Sequence, residues 1–193
     1  MTTRTAPGPR ERLLDAARRL TYTQGMGIGV DALLKGANVA RRSLYEHFGG
    51  KDGLIVEVLR RTTAEDEEWY RRTMRDAGAD PRARLLAVFD GLAEAVDAPD
   101  FRGCRYLAAD LALADPGHPG HAVTREYRER VHRLLEDELL RLGHPRPAHA
   151  AAQLLLLIDG TLAAGATRPG THPVACAREL AEHILATPRR DTP

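Results

Sequence analysis

Six side chains between positions 41 and 51 carry hydrogen-bonding groups at spacings suited to a nucleic acid. They are Arg41, Arg42, Ser43, Tyr45, His47 and Lys51. Arginine can pair bidentately with O6 and N7 of guanine, while hydroxyl, imidazole and ammonium groups can bond phosphate oxygens or base edges. On a helix that begins near Ala40, Leu44 and Phe48 lie four residues apart on one apolar face. The segment therefore predicts a short helix with one packed face and one DNA-reading face.

The residues around this helix predict a helix-turn-helix. A short helix is expected over 31–37, and the chain must then turn sharply at Asn38, one of the few non-glycine residues that tolerate a positive φ. Gly49 and Gly50 end the third helix. Lys51 opens a fourth, where its ammonium group and nearby backbone N–H groups can meet a phosphate. In a helix-turn-helix, the second helix of the motif enters the major groove.

The whole chain has helical patterning, since aromatics are few, polar–apolar alternation is rare, and Ala, Leu, Arg and Glu dominate. We therefore predict an all-α protein of about nine helices. Their expected ranges are 10–24, 31–37, 40–48, 51–75, 82–96, 104–114, 121–142, 148–166 and 174–186. The predicted domains are a disordered arm over 1–9, a three-helix DNA-binding domain over 10–50, a helical ligand-binding and dimerisation domain over 51–187 with helix four as connector, and a tail over 188–193.

Charge and composition agree with this division. The formal net charge of +1 hides an asymmetry, because residues 1–61 hold 11 Lys+Arg against 6 Asp+Glu, whereas 62–193 hold 17 against 21. A basic end that coincides with the motif suits phosphate binding. Cys104 and Cys176 form no disulfide framework, and the N-terminus lacks an apolar signal-peptide core, so a cytoplasmic protein with reduced thiols is expected.

The sequence disfavours a membrane span and a metal site. Residues 148–166 are strongly apolar, but four polar residues interrupt them, so a core or interface helix is expected in place of a membrane span. His118 and His121, with Asp115, have a spacing that invites a metal ion, yet proline and glycine interleave them and no further ligand is near, which favours a solvated turn. No nucleotide-binding loop, nucleophile elbow or zinc-protease motif is present, so we expect no catalytic residue, metal or cofactor.

The motif resembles the TetR family of transcriptional regulators. The positions that match its pattern are Ala37, Val39, Leu44, Tyr45, His47, Phe48, Lys51, Asp52 and Leu54, together with the run 13–20 and Gly25 upstream. Asn38 replaces the usual turn glycine, and Ala40 and Arg42 replace a cap serine and a small residue. The segment 27–29 lacks the Thr or Ser that usually precedes helix two, so no phosphate contact is expected from that cap.

This resemblance implies a homodimer, usually a repressor, that reads a palindromic double-stranded operator and responds to a small-molecule effector. Helices four to eight would hold the ligand, with Trp69, Phe89, Tyr106, Asp110, Tyr127, Val131 and Asp159 as lining candidates. Asp110 is unusual on a mostly apolar helix, so it is either a ligand contact or a carboxylate paired with an arginine or facing water. The last two helices would form the dimer interface, through Leu154, Leu155, Ile158, Leu162, Leu180 and Ile184.

Two other functions remain open from the sequence. The helix-turn-helix could belong to a DNA-organising protein without an effector, which a filled core between helices four and eight would favour. An all-helical enzyme with an incidental basic end would need convergent acid, base or nucleophilic groups in a cleft, and the sequence offers no such set.

Overall fold

A computed structural model describes residues 7–168 and 170–186. Within these residues it contains nine α-helices and no strand. They are α1 Pro9–Gln24, α2 Val30–Ala37, α3 Arg41–Phe48, α4 Lys51–Asp76, α5 Pro81–Val96, α6 Arg105–Ala112, α7 Gly120–Leu142, α8 Pro147–Thr167 and α9 Pro173–Leu185. The all-α prediction is confirmed, and every predicted helix is present with ends within two residues. Most of the expected arm and all of the expected tail lie outside the described residues.

Local sequence signals explain where the helices begin. Proline occupies the first turn of α1, α5, α8 and α9, where its missing N–H has no helical partner to lose. Asp80 caps α5, and its carboxylate accepts hydrogen bonds from the backbone N–H groups of Arg82 and Ala83 at 3.1 and 3.3 Å.

The contacts divide the chain into two compact units. The first unit comprises Met1–Ala64 and Arg105–Arg125. In it α1 packs against α2 and α3. Its core is a cluster of apolar side chains from α1 to α4, to which Leu13, Leu33, Leu44 and Leu54 contribute fully buried leucines. This core fixes the helix-turn-helix.

The second unit comprises Glu65–Cys104 and Glu126–Pro193. Here α9 packs on both α5 and α8. Its fully buried residues include Phe89 of α5, Leu135 and Leu139 of α7, and Leu154 and Ile158 of α8. In α5, a Cβ on Gly91 would lie 2.7 Å from Cζ2 of Trp69, so glycine allows the indole ring to pack closely against that helix.

Helix α8 is long and apolar enough to cross a membrane when judged by length and hydropathy alone. Core helices of soluble proteins meet the same criterion, so this property is weak evidence for a span. Only 28% of its most apolar window is buried within the single chain. Much of the apolar surface of α8 is therefore available to something outside this chain.

Candidate nucleic-acid interface

The turn between α2 and α3 has the conformation that the sequence predicts. Asn38 adopts φ 51° and ψ 55°, in the left-handed region, and its N–H donates to the carbonyl of Lys35 at 3.2 Å. Val39 N–H then donates to the carbonyl of Leu34 at 3.2 Å. At the other end of α3, Gly49 has φ 72° and closes the helix through its N–H to the Tyr45 carbonyl. Left-handed residues thus end both α2 and α3, while α3 begins after Ala40 in an extended conformation.

The division of α3 into a packed and an open face is confirmed. Leu44 is completely buried in the core of the first unit, and Phe48 packs partly buried against the same cluster. The side chain of Arg42 is 86% exposed, and Arg41, Tyr45 and His47 are exposed as well. Ser43 is half-buried. The polar side chains of α3 are therefore presented to a partner while its apolar side chains hold the fold.

Each arginine at the start of α3 has an acidic neighbour, which the sequence analysis did not identify. Nη2 of Arg41 lies 2.6 Å from Oδ1 of Asp31 in α2. Nε of Arg42 is paired with Oε1 of Glu46, one turn further along α3. Ion pairs between exposed side chains contribute about 0–1 kcal/mol. Guanine or phosphate oxygens can therefore replace these carboxylates at little energetic cost.

The start of α4 approaches the end of α3 closely. Lys51 is the first residue of α4 and is half-buried, next to the exposed turn of two glycines. A Cβ on Gly53 would lie 1.9 Å from the carbonyl oxygen of Phe48, so no side chain fits at this position. The short connection sets Lys51 beside the C-terminal end of the reading helix, where His47 lies edge-on to the ring of Phe48.

The N-terminal part of α1 is tied to α3 and α4 by charged contacts. The guanidinium of Arg10 lies over the ring of Phe48, 5.6 Å from its centroid, and donates to Glu57 at 2.7 Å. Arg61 donates to Glu11 at 2.8 Å, and this hydrogen bond holds the pKa of Glu11 below its ordinary value. These contacts connect the first turn of α1 to both α3 and α4. As expected, α2 begins at Gly29 with no side-chain cap.

Two ligand candidates, Tyr106 and Asp110 of α6, lie in the first unit. Tyr106 is buried. Oδ1 of Asp110 accepts a hydrogen bond from the hydroxyl of Thr124 at 2.7 Å and lies 3.0 Å from Nδ1 of His121. The hydrogen bond to Asp110 raises the pKa of His121. Asp110 thus has hydrogen-bonding partners in α7.

The other ligand candidates lie in the second unit. Phe89 and Val131 are core residues with almost no exposure. Tyr127 is buried and hydrogen-bonded to Tyr70, a residue that the sequence analysis missed. Burial raises the pKa of Tyr70 strongly, and the charge of Asp159 contributes to this effect. Trp69 packs edge-on against Tyr70, with 5.0 Å between ring centroids.

Asp159 is the titratable member of this polar group. Burial raises the pKa of its carboxyl, and the guanidinium of Arg128, 3.7 Å away, opposes that rise. Tyr70, Tyr127, Asp159 and Arg128 together place hydrogen-bonding groups inside an apolar unit. Two surface cavities of about 290 and 260 Å³ also lie in this unit, and neither is lined by the ligand candidates.

The six expected interface residues do not share one environment. Leu154 and Ile158 are buried in the core of the single chain, so they do not present a surface to a partner. Leu155, Leu162 and Ile184 are half-buried. Leu180 is 52% exposed. Leu156, which the sequence analysis did not select, is 72% exposed and is the outward leucine of α8.

The histidine pair in the α6–α7 connection has a different setting from the expected solvated turn. His118 is buried, and its Nδ1 accepts a hydrogen bond from the N–H of Gly120 at 3.0 Å. Its Nε2 lies 3.7 Å from Oδ1 of Asp52. His121 bonds Asp110 as described above. Within the described part of the chain, no group of His, Cys, Asp and Glu side chains is arranged to hold a metal ion.

Comparisons with known proteins agree with this geometry. Residues 13–58 match the family described as bacterial regulatory proteins, tetR family. The chain is 27% identical to the HTH-type transcriptional regulator YjdC of Escherichia coli, over 91% of this chain and 93% of that protein. It is 31% identical to the HTH-type transcriptional regulator BetI of Burkholderia cenocepacia, over 91% of each chain.

The fold agrees as well. The crystal structure of a TetR-family transcriptional regulator from Streptomyces coelicolor superposes with a TM-score of 0.81 at 29% identity, covering 92% of this chain and 94% of that one. These relatives are named as regulators and not as enzymes. The matched segment 13–58 contains α2, the turn at Asn38 and the whole of α3. The chain therefore belongs to the TetR family of helix-turn-helix transcriptional regulators.

Proposed function

We propose that this protein is a dimeric repressor that binds a palindromic operator in the cytoplasm and is released from it by a small-molecule effector. The observation that carries the proposal is the outward face of α3, where Arg41, Arg42 and Tyr45 are exposed while Leu44 fastens the helix to the core. A helix held in this way can enter the major groove as a rigid body. Ser43, His47 and Lys51 flank it as phosphate or base-edge contacts.

The dimer is supported by the uncovered apolar surface of the last two helices. Leu156 of α8 and Leu180 of α9 are exposed, and a Cβ on Gly160 would meet nothing within 4 Å, which leaves α8 open to close approach by another helix. Large exposed apolar side chains on the same pair of helices are expected at a protein–protein interface. A twofold dimer would present two copies of α3, whose half-sites would lie about 34–36 Å apart on DNA.

The effector is supported by the polar group in the second unit. Tyr70 and Tyr127 are buried and hydrogen-bonded to each other, and Asp159 keeps a raised pKa because of its burial. A few polar groups set among apolar side chains, with perturbed pKa values, are typical of sites that orient a ligand. An effector bound there would change DNA affinity through a coupling free energy of about 1–3 kcal/mol.

A binding titration tests the DNA-binding part of the proposal. The double variant Arg41→Ala, Arg42→Ala should weaken binding to a selected operator and lower the slope of log affinity against log salt by up to about 2. Arg75→Ala is the matched control, since Arg75 is also an exposed arginine in an ion pair but lies on α4 in the second unit. Equal affinity in the double variant and the control would contradict the roles of Arg41 and Arg42. Binding without any sequence preference would indicate a DNA-organising protein instead.

A further inference from the structure

The two most outward side chains of α3 are Arg42 and Glu46. With 3.6 residues per turn, they lie about 160° and 200° around the helix from Leu44, on either side of the direction opposite the core. Arg42 is the most exposed of these side chains at 86%, Glu46 is 50% exposed, close to the 54% of Arg41 and 55% of Tyr45, and Leu44 is fully buried. Arg41, Tyr45, Ser43 and His47 are displaced toward the flanks of the helix. When α3 enters a major groove, Arg42 and Glu46 therefore face its floor.

A carboxylate at this position can make only certain contacts with DNA. It accepts hydrogen bonds and donates none, so phosphate oxygens and the O6, N7 and O4 acceptors of bases repel it. The major-groove donors are the amino groups of cytosine and adenine, and adenine places the N7 acceptor beside its amino group. Cytosine is therefore the base edge that best fits Glu46. Arg42 has the opposite preference and fits guanine.

The ion pair between Arg42 and Glu46 links the preference for guanine to the preference for cytosine. Arg42 Nε is paired with Oε1 of Glu46. A G·C pair displays acceptors on guanine and a donor on cytosine in the same groove. The arginine–carboxylate pair can thus remain together while each member bonds one of these bases. A base without an amino group would leave the acceptor sites of the carboxylate that Arg42 does not occupy desolvated and without a donor, which disfavours that base.

We propose that Glu46 is a base-reading residue that selects a cytosine in each operator half-site, adjacent to or paired with the guanine selected by Arg42. This inference rests on the proposed function, because it requires that α3 lies in the major groove. It adds a residue whose role is to exclude wrong bases, and it predicts a G·C requirement at one defined place in each half-site.

The test is selection of binding sites from a random-sequence duplex pool, followed by titration of single-base variants of the winning site. The wild type should discriminate against substitution of the cytosine by roughly 5- to 100-fold. Glu46→Ala should lose this discrimination at the cytosine and keep the other positions of the site. Glu46→Gln should shift the preference toward adenine, because an amide can bond N6 and N7 together.

The controls separate this inference from the proposed function. Glu68→Gln removes a similarly exposed carboxylate that is paired with an arginine on α4, and it should leave the selected site unchanged. If both Glu46 variants select the wild-type sequence at every position, Glu46 does not read a base, although the protein remains a sequence-specific regulator. If Glu46→Ala only reproduces the profile of Arg42→Ala, Glu46 merely orients Arg42 and the inference is overturned. If the wild type enriches no sequence, the proposed function itself fails.

Discussion

Nη2 of Arg41 donates a hydrogen bond to Oδ1 of Asp31 across 2.6 Å, so a residue of α2 holds a side chain of the reading helix before DNA is bound. Asp31 is almost fully exposed, and nothing in its position prevents the guanidinium from leaving it. In the proposed complex, the carboxylate would compete with DNA for Arg41. Its removal should favour the complex.

Asp31→Asn should tighten binding to a random-sequence duplex by up to about 5-fold at low salt, because an exposed ion pair is worth no more than about 1 kcal/mol. Fluorescence anisotropy at several salt concentrations measures this effect. Asp15→Asn is the control, since Asp15 is an exposed carboxylate of α1 in the same unit and its loss changes the net charge equally. Equal affinities of the two variants would show that Asp31 exerts only a general charge effect.

Asn38 should be replaceable by glycine with a gain in stability. Its side chain is exposed and its φ is positive, so glycine relieves the strain on Cβ. We expect a gain of up to about 1 kcal/mol for Asn38→Gly and a loss of about 1–2 kcal/mol for Asn38→Val. Urea unfolding measures both. Lys35→Gly, at an exposed site inside α2, should have the opposite sign and cost about 1 kcal/mol. If Asn38→Gly and Lys35→Gly both destabilise the protein, the positive φ of Asn38 does not strain its Cβ.

Asp159 should lower stability at neutral pH. Burial places its folded pKa above the ordinary 3.8, so as pH rises the unfolded chain releases this proton first. The folded state then loses stability between the two pKa values, and the loss persists at higher pH. Asp159→Asn should therefore melt at a higher temperature than the wild type at pH 7, and the two should converge below pH ~3.8.

Thermal melts at several pH values test whether Asp159→Asn has the higher melting temperature at pH 7. Asp137→Asn is the control, since Asp137 is an exposed carboxylate of the same unit, and its removal should change little at any pH. A lower melting temperature for Asp159→Asn at pH 7 would mean that the attraction of Arg128 outweighs desolvation. Retention of a destabilising carboxylate in the native protein is typical of residues kept for binding.

Leu156→Arg should convert the dimer into monomers. The side chain lies on the uncovered face of α8, where a charge would be buried without a partner on association. Sedimentation at micromolar concentration should give about twice the 21.2 kDa chain mass for the wild type and the single mass for the variant. Leu111→Arg is the control, because Leu111 is an equally outward leucine of α6 in the first unit. A monomeric wild type would remove the basis for the proposed interface.

Secondary structure was largely predictable because its signals are local. Proline at helix starts, glycine at helix ends and the tolerance of Asn38 for a positive φ all act within a few residues of the feature they determine. The faces of α3 were also predictable, since Leu44 and Phe48 are apolar and their neighbours are polar. This amphipathic spacing determines which side of α3 faces the core.

The remaining errors concern partners distant in sequence or helices without a polar face. In α8 positions 154–158 are all apolar, so the sequence could not show that Leu154 turns inward and Leu156 outward. Asp110 finds Thr124 and His121 in the next helix, beyond the reach of local patterns. Glu46 lies among basic and polar side chains, so the sequence pattern alone did not indicate a reading role for it.

Different residues of the helix-turn-helix stabilise the fold and face outward. This has a consequence for the evolution of such regulators. Leu44, Asn38 and Gly53 stabilise the motif, while the side chains of Arg42 and Glu46 are exposed. A duplicated copy of the gene can therefore acquire a new set of target promoters through changes at a few outward codons, with folding left intact.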